Sequence, residues 1–349
     1  MRRTIVLCLV LAAVLLASGC SRSSSAAAGG KTVTVFMWSE YIDPELVTRF
    51  EKENKVKLVL DTYENTETMM SKVASAGDQY DVVVMSDHAI RLMASKGILA
   101  ALDLAKVPNA KNVMARFRKP AYDPEGRYTL PYQWGTMGLV YRKDKLPDFK
   151  ASWKAVLGEQ PGPVVLLDSM RDLMAAALLV NGHSPNTRSA AELKAAGDLL
   201  AGARTKKLIG FYGSPDSVGK VLAGDAWVGI AYNGDALVKL DENTDFVLPV
   251  EGTIVWVDAM TIPAGSPHKD LAYAFLNFIL DAEVGAALSN YISYATPNQA
   301  SQPLVDAEMR DDPRIYPPES SLSSSAMLED VEEATTLYDQ IWTRVKAAK

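Results

Sequence analysis

The chain of 349 residues carries 36 basic and 42 acidic residues, giving a formal net charge of −6, and 48% of its residues are hydrophobic. This length is enough for about two domains with cores of their own. An acidic chain without basic runs is a poor nucleic-acid binder, which argues against that class of function.

The first residues, MRRTIVLCLVLAAVLLASGC, indicate an export signal. Two arginines precede an apolar run from Ile5 to Ala17, which is too short to span a bilayer and fits a signal peptide of residues 1–19. The small residues before Cys20 resemble the lipobox of bacterial lipoproteins, in which the cysteine is diacylated; a plain signal peptide cut nearby is the alternative. Residues 20–31 then form a flexible tether, and the protein is expected to be lipid-anchored in the periplasm or at the outer face of a membrane.

From residue 32 onward, short apolar runs alternate with helical periodicity, which is typical of βαβ units and a mainly parallel sheet. TVTVFMW is the predicted first strand, and Asp43 caps a helix with Pro44 at its first position. VKLVLDTYE and DVVVMS are predicted strands. They are followed by the helices TETMMSKVASAG and HAIRLMASKG, the second of which ends near Gly97.

In the second part of the chain, the pattern predicts a strand that leaves the first domain and a later segment that leads back to it. YTLPYQWGTMGLVYRKDKL, residues 128–146, is the predicted crossover strand. SWKAVL starts a helix, and GPVVLLDSMRDLMAAALLV and AWVGIAYNGDALVKL are strand-to-helix junctions. FVLPVEGTIVWVDAMTIP is predicted as a strand pair that leads back, and DLAYAFLNFILDAEVGAAL as one helix. SSLSSS is a predicted loop, and the last 23 residues are a helix with one apolar face formed by Leu328, Val331, Tyr338, Ile341 and Val345.

The motifs of common enzymes and cofactor sites are missing from the sequence. None of the three histidines stands in an HExxH spacing, and Cys20 is the only cysteine after the signal. There is no GxxxxGK[ST] and no strand-ending GxGxxG to hold a phosphate. SDH, residues 86–88, places three triad residue types in a row, but a catalytic triad is assembled in space. The sequence therefore predicts neither an enzyme nor a bound cofactor or metal.

Aromatic and acidic residues instead gather where strands end, and the crevice outside the carboxyl ends of strands is where open α/β proteins bind ligands. A desolvated ammonium needs a carboxylate and aromatic faces, and a methylene chain needs flat apolar walls. For any one residue, core packing or helix capping is the alternative. Together they indicate a site for an organic cation: Trp38, Glu40, Tyr41, Ser86, Asp172, Tyr232, Trp256, Asp258 and Tyr294.

Seven motifs carry a resemblance to a known family: FMWSEYI, TYENTETMMSK, YDVVVMS, YTLPYQWGTMGLVY, GIAYNGDA, VWVDAMTIP and YATPN. In this order and at matching intervals, the chain resembles the spermidine/putrescine-binding proteins of bacterial polyamine ABC importers. The resemblance implies a two-lobed α/β periplasmic-binding-protein fold, in which crossover strands join two mainly parallel sheets flanked by helices. It implies a monomer that passes its ligand to a membrane permease. Lobe 1 is expected at residues 32–138 plus 259–303, and lobe 2 at 139–258 plus 304–349.

The resemblance also implies ligand-binding roles. The family's first-strand aromatic, its neighbouring acid and the next tyrosine fall on Trp38, Glu40 and Tyr41. The hydroxyl positions fall on Ser39, Ser86 and Ser214. The second lobe contributes Asp172, Tyr232, Trp256 and Asp258, and the late wall tyrosine is Tyr294.

Three departures bear on ligand choice. Ser169 stands where the spermidine binder has a further acid, although Asp168 could match after a one-residue shift. His88 replaces a tyrosine, and Leu328 falls where the family often has a glutamine. Because all three changes penalise a trication more than a dication, we expect a preference for putrescine over spermidine.

Two other functions remain open from the sequence. One is a receptor for another small solute, such as an amino acid, thiamine or ferric iron, although Trp38 and Trp256 argue against iron. The other is a surface lipoprotein for adhesion or sensing.

Overall fold

The computed structural model describes residues 31–204 and 207–348. The predicted signal peptide, Cys20 and the predicted tether as far as residue 30 lie outside the described residues. Thr32–Lys349 forms one compact unit.

Nine strands of the described chain form a mixed sheet: β1 Thr32–Trp38, β2 Lys57–Tyr63, β3 Val82–Ser86, β4 Leu130–Arg142, β5 Val164–Leu167, β6 Leu208–Tyr212, β7 Val228–Tyr232, β8 Thr244–Val247 and β9 Val255–Thr261. Their order across the sheet is β2-β1-β3-β9-β4-β7-β5-β6, and β8 pairs with β4 outside this order.

The two ends of the sheet are parallel and its middle is antiparallel. Strand β1 pairs in parallel with β2 and β3, and β5 pairs in parallel with β6 and β7. Strands β4 and β9 are antiparallel to each other and connect the two parallel halves. The long strand β4, which lies inside the predicted crossover segment, is buried from Leu130 to Val140 because it runs through both halves.

The helices cover the sheet, and the first two begin at residues that the sequence marks as caps. Asp43 accepts a hydrogen bond from the N–H of Glu45, as predicted, and Asn65 accepts one from Thr68. The helices are α1 Pro44–Asn54, α2 Thr66–Ala76, α3 Asp87–Ser95, α4 Met170–Val180, α5 Ala190–Arg204, α6 Ser214–Leu222, α7 Asn233–Leu237, α8 Lys269–Ile279, α9 Ala282–Ile292, α10 Ala307–Arg310, α11 Glu319–Leu322 and α12 Thr335–Ala347.

Two large clusters of buried apolar side chains lie on either side of the crossover strands. One draws its buried residues from 33–134 and 257–315, the other from 137–254 and 328–345. The boundary between them crosses β4 between Trp134 and Met137. The crossover strands therefore carry the chain from one core to the other.

Two predicted helices are wrong in extent. The segment predicted as one helix is two, α8 and α9, bent by 74°, because the Asp281 side chain accepts hydrogen bonds from the N–H groups of Glu283 and Val284 and starts a new helix. The last helix begins only at Thr335, so Leu328 and Val331 are buried ahead of it rather than on its face.

Other differences are smaller. The segment SWKAVL leads into one wide turn, Ala155–Glu159, rather than a full helix. Strands β8 and β9 pair with β4 and not with each other. A short helix, α11, covers part of the predicted serine loop. Strand β6 and helices α5 and α6 were not predicted.

No single helix among residues 31–204 and 207–348 is long and apolar enough to cross a bilayer; α8 and α9 would qualify only as a bent pair, by length and composition.

Candidate ligand-binding site

A cavity of about 1150 Å³, its opening to solvent included, lies where β1, β3, β5 and β7 end and their helices begin. The predicted ligand-binding residues all line it, from both sides of the crossover strands. They are Trp38, Ser39, Glu40, Tyr41, Ser86, His88, Asp168, Asp172, Ser214, Tyr232, Trp256, Asp258, Tyr294 and Leu328.

Asp258 is a buried carboxylate on β9, directly opposite Ser86 at the end of β3. The Ser86 hydroxyl donates a 2.7 Å hydrogen bond to its Oδ1. Burial raises the pKa of Asp258 to about 6, and the charge of Asp87 adds to the rise, while Ser86, Tyr41 and Trp38 act against it. This carboxylate is therefore poorly compensated when the cavity holds no cation.

Asp172 lies in the first turn of α4, and two hydroxyl groups bind its carboxylate. Its Oδ2 accepts hydrogen bonds from the Ser169 hydroxyl at 2.5 Å and the Tyr232 hydroxyl at 2.9 Å. Burial raises the pKa of Asp172, against these two hydrogen bonds. Ser169 thus supports Asp172 instead of supplying a further acid.

Asp235 is a cavity carboxylate that sequence reasoning missed. It lies in the first turn of α7, after β7, and its N–H donates to the Tyr294 hydroxyl at 3.3 Å. Burial raises the pKa of Asp235, hydrogen bonding to Ser214 and Tyr294 lowers it, and the charge of Glu40 raises it. The sequence contains the signal that could have identified Asp235, because this acid follows a predicted strand in the same way as Asp172 does.

Glu40 has an unusual backbone. Its φ of 55° lies in the left-handed region, which a side chain other than glycine adopts at a cost of about 1–2 kcal/mol. The strained turn follows β1 directly and places Glu40 and Tyr41 at the cavity. Nearby, the exposed Ser39 donates to Glu64 at 2.5 Å.

The aromatic walls pack edge to face, and two glycines make room for them. The Trp256 ring lies 4.8 Å from the Tyr294 ring and 5.8 Å from the Tyr232 ring. A Cβ at Gly135 would come within 2.5 Å of the Trp256 ring, and one at Gly234 within 2.5 Å of the Tyr294 ring. Only glycine, which has no side chain, leaves room for the two rings at these positions.

Asp87 and Arg171 also line the cavity and were not predicted as site residues. The Asp87 carboxylate accepts hydrogen bonds from the N–H groups of His88 at 2.7 Å and Val257 at 3.3 Å, and His88 Nδ1 lies 3.4 Å from it. Asp87 belongs to the SDH segment, for which the sequence predicts no catalytic role. Arg171 is held by hydrogen bonds to Asn186 and to the carbonyl of Glu329, so its position depends on residues far from it in the sequence.

The remaining predicted residues differ in whether their side chains already have partners in the protein. Lys346 Nζ lies 2.6 Å from Asp168 Oδ1, so the charge of Asp168 is already matched at the cavity edge. Leu328 is 4% exposed and forms part of the wall. The Ser214 hydroxyl accepts a hydrogen bond from the N–H of Tyr232 at 2.9 Å.

In the described part of the chain, no group of three or more His, Cys, Asp or Glu side chains is placed to hold a metal ion. The acids of the cavity are spread among aromatic rings and hydroxyls. Such an arrangement suits an extended organic cation better than a single ion.

Comparison with known proteins agrees with this chemistry. The profile of a family described as bacterial extracellular solute-binding protein matches residues 45–317. A spermidine/putrescine-binding periplasmic protein of Salmonella typhimurium is 31% identical over 97% of this chain and 98% of that protein. The putrescine-binding periplasmic protein PotF of Escherichia coli is 31% identical over 93% of each chain. A solved structure described as a spermidine/putrescine ABC transporter from Listeria monocytogenes matches with a TM-score of 0.86 and 32% identity, covering 91% of this chain and 100% of that one.

Proposed function

The chain belongs to the bacterial extracellular solute-binding proteins, and we propose that it is the polyamine receptor of an ABC importer. Its fold is the α/β periplasmic-binding-protein fold predicted from the sequence. Members of this family bind solutes and deliver them to a transporter, so the protein is a receptor and not an enzyme.

The observation that carries the proposal is the pairing of buried acids with aromatic rings in one cavity. Asp172 and Asp258 are nearly inaccessible to solvent, and burial raises the pKa of both. A buried carboxylate is unfavourable unless a cation pairs with it. The rings of Trp256, Tyr232 and Tyr294 offer flat faces for methylenes and for ammonium groups. A polyamine supplies both partners.

Putrescine is the polyamine that we favour. Asp168, the residue that could have replaced the missing acid, is ion-paired with Lys346, and Ser169 only donates a hydrogen bond to Asp172. Leu328 offers no hydrogen bond to a further amine. Asp235 adds a carboxylate beside Glu40, which suits a second ammonium in that part of the cavity. Because Asp168 is already paired and Leu328 offers no hydrogen bond, a third ammonium would lack a partner at that end of the cavity, whereas putrescine has no third ammonium to place there.

We place the two lobes at residues 32–138 plus 259–303 and 139–258 plus 304–349. The cavity takes Trp38 and Ser86 from the first and Asp172 and Tyr232 from the second. Neither set alone encloses a cation, so closure of the lobes about the crossover strands would bury the ligand.

Cys20 is the proposed site of lipid attachment. The segment before it resembles a lipobox, and acyl chains would hold the receptor beside its permease outside the cytoplasm. Mass spectrometry of the protein purified from membranes should find a mature chain that begins at Cys20 and carries acyl chains on this residue. A mature N-terminus at another residue, or a Cys20 without acyl chains, would contradict lipid anchoring at this cysteine.

Calorimetry of the detergent-solubilised mature protein tests the ligand. Putrescine, cadaverine, spermidine, neutral and acidic amino acids, thiamine and ferric iron form the panel. We expect putrescine to bind most tightly and Asp172→Asn to weaken it strongly, whereas Asp198→Asn, an exposed acid of α5, should leave binding unchanged. The absence of binding by any polyamine would refute the proposed function, and spermidine binding tenfold more tightly than putrescine would refute only the preference.

A further inference from the structure

Arg171 is the arginine among the described residues that line the cavity, where the carboxylates are the other charged groups and His88 is the remaining basic side chain. It lies in the first turn of α4, is 7% exposed, and lines the same cavity as its neighbour Asp172. A receptor that only collected positive charge would have no use for a guanidinium there.

Neutral groups hold the Arg171 guanidinium in place. One terminal nitrogen donates to the carbonyl of Glu329 at 2.9 Å and the other to Asn186 Oδ1 at 3.2 Å, and the group stacks over Tyr338 at 4.9 Å. The Asn186 side chain also bonds the backbone of Met327 and Glu329, on either side of Leu328. Arg171 is thus fixed at the cavity wall beside Leu328.

The charge of Arg171 is not matched by an ion pair. Within residues 31–204 and 207–348, no carboxylate oxygen lies within 4.0 Å of its nitrogens, and its buried Nε has no hydrogen-bond partner. The charges of Asp172, Asp87 and Asp330 act on it from farther away. A guanidinium stays protonated at neutral pH, so the positive charge persists.

We propose that Arg171 is a specificity-determining residue that limits the ligand to one ammonium group at this end of the cavity. The inference rests on the proposed polyamine function. Two of the cavity acids, Asp87 and Asp172, act on Arg171 through their charges, and the guanidinium offsets one of these two charges. One ammonium completes the balance, whereas a second would be repelled by the guanidinium at short range in a poorly solvated space.

A ligand series of rising charge tests this role. Putrescine, cadaverine, spermidine and spermine are titrated into the wild type and into Arg171→Met, Arg171→Gln and Arg171→Lys, after circular dichroism has confirmed that each is folded. Arg171→Met and Arg171→Gln should raise the affinity for spermidine relative to putrescine by about tenfold or more, since each removes one positive charge. Arg171→Lys keeps the charge and should keep the wild-type ratio.

Asn186→Ala is the matched control. It removes one hydrogen bond to Arg171 and the bonds to Met327 and Glu329 but keeps the guanidinium charge and its bond to the Glu329 carbonyl. It should therefore lower both affinities without the selective gain for spermidine that loss of the charge produces. If Arg171→Met and Arg171→Gln leave the ratio of the two affinities unchanged while the wild type binds putrescine, Arg171 only supports the loop and the inference is wrong. If the wild type binds no polyamine, the proposed function itself fails, and this inference with it.

Discussion

Replacing Asp258 by Asn should stabilise the empty protein and weaken its binding of a diamine. Burial raises the pKa of Asp258 to about 6, so at neutral pH the folded state holds a charge that it accommodates poorly. Asparagine keeps an oxygen that can accept the hydrogen bond from Ser86 and removes the charge. Stability and function are therefore opposed at this position.

The size of the effect follows from the two pKa values. A rise from 3.8 to about 6 corresponds to about 3 kcal/mol of lost stability at pH 7. Because the folded state binds this proton more tightly than the unfolded state, the loss is fully present above pH 6 and disappears as the pH falls towards 3.8. It should decrease to about 1.6 kcal/mol at pH 5 and to under about 1 kcal/mol at pH 4.

Urea denaturation of the ligand-free proteins at pH 7.5, 5 and 4 measures this difference directly. Asp258→Asn should unfold at higher urea than the wild type at pH 7.5, and the two curves should converge at pH 4. Calorimetry at pH 7.5 should show putrescine binding weakened by about 30-fold or more, since the buried ammonium loses its countercharge. Lower stability of the variant at pH 7.5, or a difference that does not change with pH, would show that hydrogen bonds outweigh the burial of Asp258.

Four further predictions concern the aromatic walls, the lobes and the state of the whole chain. Trp256→Ala should weaken putrescine binding by about 2 kcal/mol or more through lost wall area, and a change under twofold in calorimetry would mean that the ring only packs the core. Gly234→Ala should displace the Tyr294 ring and weaken binding by about tenfold, whereas Gly219→Ala, which meets no atom within 4 Å, should leave it unchanged. Saturating putrescine should reduce the radius of gyration measured by small-angle scattering, and an unchanged radius would argue against closure. The chain 31–349 should be monomeric and should melt at higher temperature with millimolar putrescine; a missing shift with both putrescine and spermidine would contradict polyamine binding.

The position of the cavity could be predicted because the sequence pattern indicates where strands end. Trp38, Ser86 and Tyr232 are each the last residue of a parallel strand, and such ends meet at one edge of a sheet. Asp172 and Asp235 each follow a strand, in the first turn of a helix. The sequence pattern thus predicts which residues form the edge of the cavity, and Asp235 follows the same pattern although it was not among the predicted residues.

Features that depend on distant contacts could not be predicted in this way. Leu328 and Val331 are in phase with the last helix, yet the chain ahead of Thr335 is held by Asn186, which is 141 residues from Met327 in sequence. In the sequence, Arg171 is an ordinary polar residue at the start of an apolar helix. Its place at the cavity depends on hydrogen bonds to Asn186 and to the carbonyl of Glu329, which the sequence pattern does not indicate. Periodicity reports local structure, and it carries no information about which remote backbone group a side chain will meet.

The charges of the cavity explain why a cation suits it. Burial raises the pKa of Asp172, Asp235 and Asp258, so each acid makes the empty closed form less stable. A neutral or anionic solute would leave these charges unpaired at a cost of several kcal/mol. The ammonium groups of a polyamine pair with these carboxylates, and the methylenes between the ammonium groups can lie on the rings around Trp256. The acids thus favour closure only around a cation, while Arg171 opposes any excess of positive charge. Selectivity in such a cavity comes from the match between the number of charges on the ligand and the number left uncompensated by the protein.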